Sequence, residues 1–280
     1  EVVHEGDEWP VDYRPDAEVP AWVFARSDVP RVRRESWRLR SVEVLTPGVT
    51  LKHIGHYDVL VADKGHVPAR IRLRFKPFTE DIETSYDAAL AFTDGSVALY
   101  SQQFKLVPMP SLGEVEKAPI DAGELPMALH PTKVSFGDKD GPVLARGTRQ
   151  DRFTTGDEEA YVLFGRAEPS IGPALTTIID PGLPEWLRNY IVTDMPRLLA
   201  GYAEKLGPPP IGQPMLMASW SGPTKGVTSM GGSVLTGTVV MTLEGEGVLQ
   251  ESPSVRDAVR WFVAHEAAHF WLGQVVAYEG

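Results

Sequence analysis

The run from Trp261 to Tyr278 is apolar, and Glu266 is the only charged side chain in it. A lone carboxylate in a segment built for burial is costly unless something pairs with it. The run is too short to cross a membrane and carries three ionisable groups in its middle. The chain must therefore fold so that this segment is packed and its carboxylate is compensated. Two histidines one helical turn apart, in His265-Glu266-Ala267-Ala268-His269, suggest a divalent metal and its water as that compensation.

The metal reading requires a helix, and the sequence provides one. Neither Pro nor Gly interrupts Val255 to Leu272, and Ala is frequent. Ser252-Pro253 and Ser254-Val255-Arg256-Asp257 are equally good helix starts. On a helix, His265 and His269 share a face, about 6 Å apart. Glu266 is displaced about 100° around the axis, beside a metal rather than on it. Zinc lowers the pKa of a bound water to about 7, and such a carboxylate can take its proton during attack on a carbonyl. This is the mechanical content of an H-E-x-x-H motif. The alternative is a core helix whose histidines find hydrogen-bond partners, which leaves Glu266 unexplained.

The wider segment His265 to Gly273, HEAAHFWLG, resembles the M1 family of zinc aminopeptidases, a branch of the gluzincins, with Trp271 and Gly273 at the matching positions. The resemblance implies Zn2+ held by His265 and His269, with Glu266 as general base and a zinc-bound water as nucleophile in peptide-bond hydrolysis. It places the third ligand on a following helix, beyond Gly280. The chain is accordingly expected to be the N-terminal portion of a longer protein, partnered by its own C-terminal remainder. Glu279 is a poor substitute for that ligand. The family also has a G-x-M-E-N strand upstream that lines the substrate cleft. Its best match is Gly231-Gly232-Ser233-Val234-Leu235, so Gly231, Gly232 and Ser233 are candidate substrate-binding residues. Val234 stands at the Glu position and cannot anchor a charged amine; for the glycines themselves, a tight turn entering a strand is the alternative. The second functional expectation is a catalytically inactive scaffold or binding module acting through the β-rich region.

Composition limits the remaining partners. The chain has 280 residues, 42% hydrophobic and 23% charged, enough for a sizeable core. A net charge of −11 argues against nucleic acid, leaving a peptide or protein substrate. Without cysteine there is neither a disulfide nor a thiolate metal site. The start at Glu1, with no Met or leader, leads to the expectation of export to the periplasm or outside the cell, with the cytoplasm as alternative.

The 24 prolines and 26 glycines punctuate apolar strands. Residues 1–25 read as an extended lead-in and 26–178 as a β-rich sandwich or saddle. Ile71, Leu73 and Phe75 alternate with arginines, and Thr93-Asp94-Gly95-Ser96 signals a hairpin. Residues 179–280 read as the first half of a thermolysin-like zinc peptidase domain, giving an α+β protein. Leu183 to Leu206 should be helical, kinked or divided at Pro196; strands at Met215 and Thr238 precede the motif helix. His53 and His56 read as surface residues, and Arg31, Arg33, Arg34, Arg38 and Arg40 as a solvated face.

Overall fold

The computed structural model describes residues 1–27, 35–79, 82, 86–125, 132–155, 158–209, 213–235 and 237–272. It is a sheet-rich α+β protein that divides into two compact units. The first is Glu1–Ala89, Ala98–Ala145 and Arg149–Phe164; the second is Leu90–Val97, Arg146–Thr148 and Gly165–Gly280.

The first unit is built from sheets. One runs in the order Arg152–Thr155, Val134–Asp138, Val2–His4, Trp9–Tyr13, Ile71–Phe75 and Val42–Val44. The Ile71 strand buries Ile71, Leu73 and Phe75 and exposes Arg72 and Arg74, as strict alternation demands. A second sheet, Leu106–Met109, Ala21–Phe24, Tyr57–Ala62 and Val49–Ile54, is antiparallel throughout. Its last two strands join at Gly55-His56, where Gly55 takes a positive φ of 60°. Residues 1–25 thus supply three strands to these sheets where the sequence reads as a lead-in.

The basic cluster needs a correction. Arg31, Arg33 and Arg34 lie outside the described residues, but Arg38 is not a solvated residue: it is 1% exposed. Its Nη1 donates to Asp58 Oδ2 at 2.9 Å and its Nη2 to the Gln103 carbonyl at 2.7 Å. The guanidinium lies over the rings of Phe24 and Trp37, with centroids at 4.4 and 4.6 Å. His53 Nδ1 meets the other oxygen of Asp58 at 2.9 Å. A charge this deep survives because every face of it is paired or stacked.

The second unit holds one mixed sheet, in the order Ser170–Ile171, Thr176–Ile179, Met215–Trp220, Thr238–Glu244 and Ser229–Leu235. The Thr176, Met215 and Thr238 strands are parallel, and Ser229–Leu235 returns antiparallel at the edge. The central strand Met215–Trp220 is buried at every position, as a strand covered on both faces must be. Two helices pack on this sheet, Glu185–Leu206 and Pro253–Ala268. The first is a single helix with Pro196 inside it, so Pro196 does not divide it. The carbonyl that loses its donor belongs to Val192, a residue on the exposed face of the helix. Its apolar stripe Leu187, Ile191, Met195 and Leu199 meets Val259, Phe262, Val263 and Ala267 of the motif helix in one core.

Candidate metal centre

The motif helix begins where Ser252 caps it: Ser252 Oγ accepts the Val255 N–H at 3.3 Å, with Pro253 in the first turn. Its end is tied to the long helix. Trp271 Nε1 donates to the Gly207 carbonyl at 2.8 Å, and the Tyr202 hydroxyl donates to the Ala264 carbonyl at 3.1 Å. The Trp271 and Tyr202 rings lie 5.6 Å apart. With Val259, Phe262, Val263 and Ala267 facing the core, helical periodicity puts His265 on the outer face and Glu266 at its boundary.

The two imidazoles converge. His265 Nε2 and His269 Nε2 stand 3.2 Å apart, with ring planes at 88°. Metal–nitrogen bonds of about 2.0–2.1 Å at a tetrahedral angle place two ligand atoms roughly 3.3–3.4 Å apart. The observed spacing therefore matches what one tetrahedral ion spans; without an ion, one ring can donate to the other. Burial lowers the His269 pKa and the charge of His265 lowers it further, against a hydrogen bond that the ring donates to the Leu272 backbone. That favours the neutral imidazole a metal requires.

Glu266 is 4% exposed, and among the described residues no donor bonds its carboxylate. Burial raises its pKa, and the nearby His265 opposes the rise. The carboxylate lies against the edge strand at Gly232, where a β-carbon would overlap it. A β-carbon at Gly231 would stand 2.6 Å from Thr242 Oγ1, on the neighbouring strand. These glycines are thus strand residues that allow close approach, not a turn entering the strand; the turn follows at Gly237, with φ 72°. Of the three, Gly232 lies against Glu266, whereas Gly231 and Ser233, at the alternate positions, face the other side of the sheet with Thr242 and Val240. Val234, half-buried, packs against the apolar core.

Among solved structures, the chain is similar to an aminopeptidase N family protein from Idiomarina loihiensis, with TM-score 0.57 and 11% identity, over 96% of this chain and 47% of that one. The two share a fold. Two structures of leukotriene A4 hydrolase from yeast align at TM-scores of 0.45 and 0.44, with 12% and 10% identity, over 96% and 97% of this chain and 42% and 43% of theirs. The chain spans just under half the length of each of these proteins. No protein-family model matches the sequence, and no curated protein does.

The structure brings together His265, His269, Glu266 and Gly232. Among the described residues no third imidazole or carboxylate joins the two histidines. Glu279 lies outside the described residues. In the first unit His4, Asp138 and Asp140 cluster, but His4 is already bonded to Asp138 at 2.8 Å, and Asp138 also accepts the Asp140 N–H. One contact at the centre has no counterpart in the motif itself: Trp261, one turn before His265, stacks on its ring at 5.5 Å and 21°. The i, i+4 spacing of Trp261, His265 and His269 is the trace it leaves in the sequence. No helix among the described residues is long and apolar enough to cross a membrane.

Proposed function

We propose that the chain carries the zinc-binding helix and the general base of a peptidase resembling the M1 zinc aminopeptidases. The observation that carries this reading is the convergence of His265 and His269 Nε2 at 3.2 Å next to Glu266, whose carboxylate lies against Gly232. Such donors fit zinc, and His265 and His269 would hold it through Nε2. A third protein ligand would come from the C-terminal remainder of the same protein. When bound, zinc polarises the scissile carbonyl and eases deprotonation of water. Glu266 would accept the proton of the attacking water and return it to the leaving nitrogen. Its raised pKa suits a group that must hold that proton between the two steps. The outer edge of Ser229–Leu235 would take the substrate backbone as an added strand, with Gly232 keeping the path to Glu266 open.

Val234 favours a second reading, a binding module without peptidase activity, because no carboxylate stands there to hold a free amino terminus. Metal analysis of the full protein together with Glu266→Gln separates the two. The enzyme reading expects about one zinc per chain, and a loss of peptide hydrolysis on the order of 10²–10⁴-fold in the variant with zinc retained. Absence of zinc from the wild type, or normal hydrolysis by the variant, overturns it; zinc without hydrolysis in the wild type favours the binding module.

A further inference from the structure

A metal-ligating histidine is ordinarily held by a hydrogen bond from its second ring nitrogen to a carboxylate or carbonyl, which fixes the ring's orientation. His265 has no such bond: among the described residues its hydrogen bonding is confined to Nε2, toward His269. What does touch the ring is the indole of Trp261, nearly parallel to it at 21° with centroids 5.5 Å apart. The contact follows from the helix. Side chains lean toward the helix N-terminus, so the His265 ring folds back over the turn that bears Trp261. The torsion about the His Cβ–Cγ bond is broad and intrinsically soft, and a flat neighbour is an effective restraint on it. Trp261 is also 70% exposed, so core burial does not account for its place on this helix.

We infer that Trp261 is a positioning residue for His265, with stacking in place of the missing hydrogen bond to keep Nε2 aimed at the ion. The inference rests on the zinc reading above. It belongs to Trp261 alone: Trp271, ten positions on, is buried and spends its N–H on Gly207.

The test uses the full protein, stripped of metal, in wild-type, W261L and W261F forms, with zinc affinity measured by chelator competition. Leu keeps apolar character and helix propensity but has no ring face; Phe keeps the face. The expected result is about tenfold weaker zinc binding in W261L, recovery in W261F, and unchanged melting of the metal-free proteins. Zinc should also alter tryptophan emission in the wild type, and part of that change should be lost in W261F. If wild type and W261L bind zinc equally, Trp261 has no positioning role while the peptidase reading stands. If the wild type binds no zinc, both readings fall together.

Discussion

Gly232 and Glu266 are thirty-four positions apart in sequence, yet the absence of a single β-carbon at one sets the place of the carboxylate at the other. A methyl at Gly232 would meet the far end of a flexible side chain rather than backbone, so the strand can stay and the carboxylate must move. On the proposed peptidase reading, Gly232→Ala is therefore expected to lower peptide hydrolysis on the order of 10²-fold, because small displacements of a general base are that costly. Zinc content and melting temperature should be unchanged, since neither histidine nor the core is touched. Parallel measurement of kcat, zinc stoichiometry and thermal melting checks this; unaltered kcat would mean that Glu266 does not act from its observed position. At this scale the motif was legible, because His265, Glu266 and His269 lie within five residues of one another. The reason for the glycines was not. It depends on which strand neighbours the helix, and local sequence records only that a side chain is absent.

The motif helix owes its position to ties that local propensity does not supply. Ser252 and Pro253 start it, and both are readable in the sequence. Its far end is held by Trp271, whose N–H reaches Gly207 just beyond the long helix. Trp271→Phe keeps the ring packed on Tyr202 but strands the Gly207 carbonyl. It is expected to destabilise the second unit by about 0.5–1.5 kcal/mol, the net contribution of one hydrogen bond at a part-buried site. Chemical denaturation followed by helix circular dichroism measures it, and a change within error would assign the tie to packing alone. Zinc affinity should fall less than in W261L, because His265 keeps its stacking partner. The long helix shows what periodicity does and does not reveal. Leu187, Ile191, Met195 and Leu199 announce the buried stripe, and Pro196 announces a break. The helix is not divided there: the residue whose carbonyl loses its donor, Val192, is on the exposed face, and only the packed orientation of the helix decides which residues lie on that face.

At the scale of the whole molecule, a fully buried ion pair lies in the first unit, where Arg38, Asp58 and His53 form a chain from the core outward. Burial pushes the Asp58 carboxyl up, but the His53 hydrogen bond, the Arg38 charge and bonds from Ser36 and Arg38 outweigh it and hold it below the usual carboxylate range. Its stabilising contribution is present above that range and is lost as pH falls through the lowered value. His53 is shifted the other way, its hydrogen bond to Asp58 outweighing the opposing effect of burial. Its contribution is complete below the ordinary histidine value and is lost as pH rises through the raised one. The first unit should therefore be most stable on the acid side of neutrality, down to the carboxylate range. His53→Ala should remove the alkaline decline and also shift the acid-side loss to higher pH, because its hydrogen bond helps hold the Asp58 carboxyl low. Asp58→Asn leaves Arg38 buried without its countercharge and should cost about 3–5 kcal/mol. Melting curves from pH 3 to 9 on the two variants check the signs; an alkaline decline that survives His53→Ala would place its origin elsewhere.

The sequence by itself determined what depends on neighbours along the chain. That includes the helix under His265 and His269, its start at Ser252, the alternating strand at Ile71–Phe75, the hairpin turn at Thr93–Ser96 and the stripe on the long helix. These follow from periods of two and 3.6 residues and from local capping chemistry. Tertiary structure alone decided the burial of Arg38, the strand at Gly232 against Glu266, and the continuity of the helix at Pro196. Each is set by a partner distant in sequence, or by which side of an element meets water, and composition and spacing carry no term for either.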